Sequence, residues 1–256
     1  MQYHAQNLDS LGHVSHAFSR TGDPSLPTNL FCPAQENGVK VMEVTLEHKS
    51  GLVTADAIYT STNRPIGIIT ADCIPLLIGA CERQFVAAIH GGWKGLVSNI
   101  IGDSFRAFRQ AGVSANELRI GLGPSIHSCC YEVSLSMIET LEAVHGHLWK
   151  GKSAPWSREQ GHPSVRPQLA TAKSTHNEAW LDLNRYCDYL LEAEGITKAQ
   201  VCKIDICTYC SSQCFGSYRR RSHLCEPKKF QYSWIRANLQ TAHSTRLPIS
   251  GTQDQI

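Results

Sequence analysis

Cys73 and His90 stand 17 residues apart, each at the edge of a β-forming run, and a thiol and an imidazole so placed offer two kinds of chemistry. As soft and borderline donors they would hold a transition metal such as zinc. As nucleophile and base they would open an amide. Asp72, directly before Cys73, adds a carboxyl group that would orient a ligand or act as an acid. Each type also has a plainer use, since cysteine is among the most buried residues and aspartate often shapes a turn at a strand end.

The elements that must position these groups read as short apolar runs. Residues 66–69, 74–78 and 85–89 are rich in isoleucine, leucine and valine and are bounded by glycine, proline or charge, which predicts buried strands. Past His90, Gly91, Gly92 and Gly95 let the chain turn, and Val97, Ile100, Ile101, Phe105 and Phe108 then recur at helical spacing. His90 therefore stands where a strand feeds a helix, a usual place for chemistry in α/β folds. Further strands are expected at 14–18, 38–44, 56–59, 118–122, 201–206 and 230–235, and helices at 134–144 and 181–193. The loop from Gly123 to the adjacent thiols Cys129 and Cys130 would border the same pocket.

The 256 residues, 42% of them hydrophobic, suffice for one α/β domain, and no low-complexity linker divides them. A formal net charge of +2 with 12 histidines carries no polyanion-binding signature, so nucleic acid is not an expected partner. No apolar run approaches the roughly 18 residues of a membrane span, and no signal-peptide core is evident, so the expectation is a cytoplasmic protein. Residues 145–177 are polar and proline-containing and predict a mobile insertion, and 236–256 predict a disordered tail.

Eleven cysteines in a chain of this length are expected to be mostly buried thiols in a reducing compartment. Cys207, Cys210 and Cys214 form a C-x2-C-x3-C array that suggests a second metal but lacks a paired half. Cys129 and Cys130 read as pocket lining or core, because Cα atoms about 3.8 Å apart are too close for an ordinary disulfide.

The segments TADC at 70–73, AAIHGGWKG at 87–95, LGPSI at 122–126, CCYEV at 129–133, LDL at 181–183, CTY at 207–209 and SYRR at 217–220 together resemble the YfiH-type multicopper polyphenol oxidase, or laccase-domain, family over residues 14–235. The resemblance implies a single α/β (α+β) domain with mixed β-sheets flanked by helices, similar to the cysteine-hydrolase-like fold of cytotoxic necrotizing factor. It also implies a zinc-binding purine nucleoside enzyme, acting as a phosphorylase on adenosine, inosine or methylthioadenosine, or as an adenosine deaminase. The older family name records a copper-dependent phenol oxidase activity.

In that family two histidines and one cysteine hold the metal, and Cys73 and His90 match two of the positions. The sequence departs at the third. Gln35-Glu36-Asn37-Gly38 aligns with a Gln-Val-His-Gly motif and puts asparagine where a histidine ligand is expected; His48 and His127 are the imidazoles that would replace it. Bound zinc would generate hydroxide at neutral pH for attack at a purine C6. Phosphorolysis would instead need phosphate and charge stabilisation, from the GGWKG turn and from Arg219 or Arg220. Asn37, Gly92, Trp93, Arg219 and Arg220 are thus the expected substrate contacts, with Trp93 either stacking on a base or packing over the turn. Loss of the third ligand strengthens two rivals: a metal-free amide hydrolase using Cys73 and His90, and a nucleotide-binding or redox protein without turnover.

Overall fold

A computed structural model describes residues 2–162 and 179–238. The strands are β1 (Val14–Phe18), β2 (Val41–Glu43), β3 (Ala57–Thr60), β4 (Ile66–Thr70), β5 (Ile74–Ala80), β6 (Val86–Gly91), β7 (Leu118–Leu122), β8 (Glu132–Val133), β9 (Trp156–Ser157), β10 (Ala179–Leu181), β11 (Val201–Lys203) and β12 (Gln231–Ala237). The helices are α1 (Gln6–Asp9), α2 (Trp93–Val97), α3 (Ile100–Gln110), α4 (Leu135–His145), α5 (Leu183–Ala193) and α6 (Tyr218–Leu224). Among the described residues these form three mixed or antiparallel sheets, ordered β11-β7-β5-β6-β3-β2, β1-β12-β4 and β8-β10-β9. The expected α/β class with mixed sheets is what the chain adopts.

Strands β5 and β6 read as unbroken apolar runs because both of their faces are buried. Ile74, Leu76 and Ile78 of β5 and Ala87 and Ile89 of β6 face a core shared with Phe105, Phe108, Leu141 and Leu190 of the helices. The intervening Leu77, Val86 and Ala88 face a second core, closed by Phe18, Ile66, Ile68 and Ile235 of the small β1-β12-β4 sheet. The large sheet is therefore the middle layer between helices and a second sheet.

The helical pattern after His90 is broken in two. Asn99 adopts φ 78° between α2 and α3, a left-handed conformation that asparagine tolerates better than most residues. Ser134 caps α4 by accepting from Met137 N, and Asp182 caps α5 by accepting from Arg185 N, which places both starts a residue or two past the expected boundary.

Within the segment expected to be a mobile insertion, the described residues 145–162 include a 3-10 turn at Gly146–Trp149 and strand β9, which pairs with β10. Two tryptophans anchor it: Trp149 is buried, and the indole N–H groups of Trp149 and Trp156 both donate to Glu142. Few apolar residues suffice when each is this large. The remainder of that segment, and the expected tail beyond residue 238, lie outside the described residues. At the other end the fold begins before residue 14, since Tyr3 bridges to Phe18 and Leu8 of α1 enters the second core. No helix among the described residues is long and apolar enough to cross a membrane.

Candidate functional site

Strand β6 is antiparallel to both of its neighbours, so its C-terminal end lies beside the N-terminal ends of β3 and β5. His90 is the next-to-last residue of β6, Asp56 directly precedes β3, and Cys73 directly precedes β5. Sheet pairing alone thus gathers three chemically able side chains at one edge. The His90 amide donates to the Asp56 carbonyl at 2.7 Å, and the His90 ring places Nδ1 2.8 Å from Asp56 Oδ1. Cys73 lies close enough to the His90 ring to favour its protonated form.

Asp56 does a second job. Its carboxylate accepts from the backbone amides of Glu36, Asn37 and Gly38 at 3.1, 3.0 and 2.8 Å. That cradle folds the 36–38 turn, with Asn37 at φ 59°, against the strand ends. A methyl group built on Gly92 would lie 2.7 Å from Asn37 Oδ1, 3.3 Å from Cys73 Sγ and 3.6 Å from His90 Cε1. Asn37, Cys73 and His90 therefore converge on one spot that only a glycine leaves open.

The electrostatics follow from this packing. Burial pulls the Asp56 carboxyl up, but hydrogen bonds from His90, Gly38 and Glu36 outweigh it and hold the group below the usual carboxylate range. For His90 burial works against protonation; the charges and hydrogen bonds of Cys73 and Asp56 win and raise it to about 9.

Of the other expected residues, Asp72 is adjacent to the centre yet turned away from it. Buried and at φ 89°, it accepts from Thr208 Oγ1 at 2.6 Å, Ser217 Oγ at 2.9 Å and the Arg219 amide at 2.7 Å. With its oxygens so engaged, Asp72, expected as an acid or as the group that orients a ligand, fastens the 208–219 segment to the β4–β5 turn. Desolvation raises its pKa against those hydrogen bonds.

The two arginines separate. Arg220 is buried, ion-paired to Glu226 at 2.8 Å, and donates to the carbonyls of Thr208, Tyr209 and Phe215. It stitches the loop together: four of the five N–H donors of the guanidinium, expected to contact substrate, go to these structural partners. Arg219 is half-buried, donates to the Glu132 carbonyl at 2.5 Å, and holds its guanidinium 5.3 Å from the Tyr131 ring centre. Tyr131 is close enough to Cys73 and Arg219 to feel both charges; its phenol is pushed up, chiefly by burial. Trp93 opens α2 next to Gly92 and is half-exposed, with Lys94 Nζ 5.9 Å from its ring centre.

His48 lies elsewhere, accepting from the Thr45 amide and edging against Phe31. His127 faces Asp205 at 3.7 Å and neighbours Cys207. Neither joins Cys73 and His90; Asn37 does. Asp56 and Tyr131 are not marked as site residues by the sequence, although Asp56 in the TADAIYT segment carries one signal, an acidic residue at a strand start. A cleft of about 1020 Å³ lined by Tyr189, Glu192 and Lys198 runs along α5 and includes none of these groups.

Fold and site together define an α/β protein with a cysteine, histidine and aspartate gathered at one edge of a central mixed sheet. The chain belongs to the multi-copper polyphenol oxidoreductase laccase family, whose sequence profile matches residues 3–225. Among curated relatives, a purine nucleoside phosphorylase of Synechocystis sp. is 28% identical over 243 residues, covering 86% of this chain and 88% of that protein. An adenosine deaminase, RL5, from an unknown prokaryotic organism is 27% identical over 175 residues, covering 68% of this chain and 60% of that protein. The fold is shared with the YfiH protein of Bacillus licheniformis, at TM-score 0.72 and 19% identity over 90% of this chain and 95% of that one. It is also shared with YlmD of Geobacillus stearothermophilus, at TM-score 0.66 and 21% identity over 82% and 74%.

Proposed function

We propose that the chain is a purine nucleoside enzyme whose reaction runs at the spot enclosed by Asn37, Cys73, His90 and Gly92. The observation that carries this is the convergence of those side chains at one strand edge, with Asp56 holding both His90 and the Asn37 turn. The names of the relatives point to the substrate class: a purine nucleoside with phosphate for a phosphorylase, a purine nucleoside with water for a deaminase.

Cys73 and His90 are a donor pair that fits zinc, because Asp56 occupies Nδ1 and leaves Nε2 as the histidine's ligand atom. Zinc bound by them would supply hydroxide at neutral pH. Asn37 contributes only an amide oxygen to such a set, a weak partner beside thiolate and imidazole. The remaining work belongs to the chain's own groups. Asp56 fixes the His90 ring, Gly92 leaves room for the reacting atoms, Arg219 over Tyr131 places a cation for phosphate or a departing base, and Trp93 offers an aromatic face beside the turn.

The test is an assay of purified protein on adenosine and inosine with and without phosphate. Phosphate-dependent release of free base establishes phosphorolysis, inosine from adenosine without phosphate establishes deamination, and both must vanish in Cys73→Ala and His90→Ala. Absence of any turnover sinks the proposal.

One observation favours a second reading. Cys73 and His90 converge on one point with Asp56 hydrogen-bonded behind the imidazole, the order of a nucleophile, a base and its orienting carboxylate, and Asn37 removes the third metal ligand. As an amide hydrolase the protein would show fast alkylation of Cys73 that substrate blocks and zinc does not.

A further inference from the structure

Strands β7 and β11 are parallel neighbours, so the loops leaving their C-terminal ends travel side by side. A bridge between Ser125 and Cys207 continues that pairing beyond the strands. The first loop carries Cys129 and Cys130 and the second carries Cys207 and Cys210. All four thiols are buried, and their sulfur atoms lie within 4.8 Å of one another. Cys129 and Cys130 Sγ are 3.5 Å apart, Cys129 and Cys210 3.9 Å, and Cys130 and Cys210 3.3 Å.

Those separations discriminate. A disulfide needs about 2.05 Å between sulfurs. Four thiolates around one zinc at about 2.3 Å, in tetrahedral geometry, stand about 3.8 Å apart along each edge. The three separations among Cys129, Cys130 and Cys210 are nearer the second value, and Cys207 Sγ lies within 4.8 Å of each of them. Cys129 and Cys130 meet one point although adjacent in sequence because they sit in a turn, closed by the Cys130 and Tyr131 amides on the His127 carbonyl, rather than in a strand whose side chains alternate.

The surroundings need such a crosslink. The second loop runs from Ile204 to Ser217 without a helix or a strand. Its small core consists of Ile126, Cys129, Cys130, Cys207, Tyr209 and Cys210, so four of six buried members are cysteine. Yet this loop supplies Thr208 to Asp72, and the first supplies Tyr131 beneath Arg219. Cys214, expected as part of the array, stands apart with its carbonyl on the Thr21 amide.

We propose that Cys129, Cys130, Cys207 and Cys210 form a structural zinc site, separate from the Cys73 and His90 centre, that rigidifies one wall of the catalytic pocket. Four thiolates close the coordination sphere and leave no open position, which marks a structural rather than catalytic metal. Zinc displaces four thiol protons without any change of oxidation state. The resulting complex carries a net charge of minus two, and the buried Arg220 guanidinium, bonded to the Thr208 and Tyr209 carbonyls in the same turn, lies beside it.

The test begins with full-length protein purified under reducing conditions without chelator. Elemental analysis of the Cys73→Ala/His90→Ala double variant, which removes the other metal-capable pair, is expected to retain one zinc per chain; the same double variant carrying Cys210→Ser is expected to lose it. Where the serine variant fails to fold, the wild-type chain answers. Cobalt exchanged into it should give the sulfur-to-cobalt charge-transfer and intense visible bands of a tetrahedral tetrathiolate, and mass-mapped alkylation should spare the four cysteines until a zinc chelator is added. Zinc absent from the Cys73→Ala/His90→Ala protein, iron in its place, a disulfide within the cluster, or cysteines that alkylate at the same rate with and without chelator would each overturn the proposal.

Discussion

His90 Nδ1 lies 2.8 Å from Asp56 Oδ1, and the same carboxylate collects the amides of residues 36–38. One side chain thus fixes the imidazole and the turn that presents Asn37. Replacing Asp56 by asparagine removes one acceptor oxygen and turns an amide NH2 toward N–H groups. The size of the loss distinguishes the two chemistries. A carboxylate behind a metal-bound histidine is worth about 10–100-fold in activity or metal affinity, whereas the orienting carboxylate of a nucleophile and base pair is worth about 10⁴ in kcat. Steady-state kinetics of Asp56→Asn, with circular dichroism to show that the fold persists, reads out which applies.

Arg219 and Arg220 are neighbours in sequence with opposite fates. Arg220→Ala strands three carbonyls of buried residues and is expected to cost at least about 3 kcal/mol of stability, since each buried acceptor left unsatisfied costs about 1–3 kcal/mol, visible as a lowered urea midpoint. Arg219→Ala leaves the fold nearly intact and raises KM about tenfold, the value of one charge-assisted hydrogen bond. Equal loss of stability in both variants would contradict the division.

How far the sequence reveals this protein depends on how local each signal is. Strands β5 and β6 are legible because burial on both faces writes an unbroken apolar run, and Cys73 and His90 are legible because they end such runs. Asp56 is not, because its importance arises only when antiparallel pairing sets the start of β3 beside the end of β6. The four-cysteine cluster is hidden for the same reason: Cys130 and Cys210 are separated by 80 residues and meet through the parallel β7–β11 pair. Asn99 breaks the helix without proline or glycine to announce it. Arg220 looks like one charge in a basic run and is a buried staple, a distinction that only the carbonyls around it disclose.

Acid should weaken the fold through His16. Its Nε2 accepts from the Ala5 amide at 2.8 Å, with Asp9 and His4 beside it, and burial lowers its pKa to about 4. The unfolded chain binds that proton near 6.5, so the fold gains stability from a neutral His16 at all higher pH and loses it as pH falls from 6.5 through about 4. The gap corresponds to up to about 3 kcal/mol. Urea unfolding at about pH 7 and about pH 4.5 should show a steeper acid loss in the parent than in His16→Gln, which keeps an acceptor but does not titrate. Parallel losses would remove His16 as the cause.

Gly92 is the place where a single methyl group should close the site. Its added carbon would fall 2.7 Å from Asn37 Oδ1 and 3.3 Å from Cys73 Sγ, so Gly92→Ala must push the Asn37 side chain or the thiol aside. Overpacking of this kind costs about 1–3 kcal/mol. Because the clash is with the groups proposed to react, activity should fall further than stability does. Comparing kcat/KM with the urea midpoint checks this, and unchanged activity would mean that the reaction does not use this spot.

Asn37→His is the variant that asks whether the amide has altered the chemistry. Residue 37 already points at Cys73 and His90, and its backbone is held by Asp56, so an imidazole introduced there would arrive next to both. Replacing a weak amide oxygen by a nitrogen donor completes a set of three zinc ligands with an open fourth position. If the centre is a metal site, the variant should bind zinc at least tenfold more tightly in a competition titration, and its nucleoside turnover should rise or become less dependent on added metal. The larger ring will crowd Gly92, so the zinc titration is the primary readout and the rate the secondary one. If the centre works as a thiol nucleophile instead, the added imidazole offers another ligand to trap Cys73 in a zinc complex. Turnover would then fall on adding zinc and return with chelator, which is the opposite sign in the same pair of measurements.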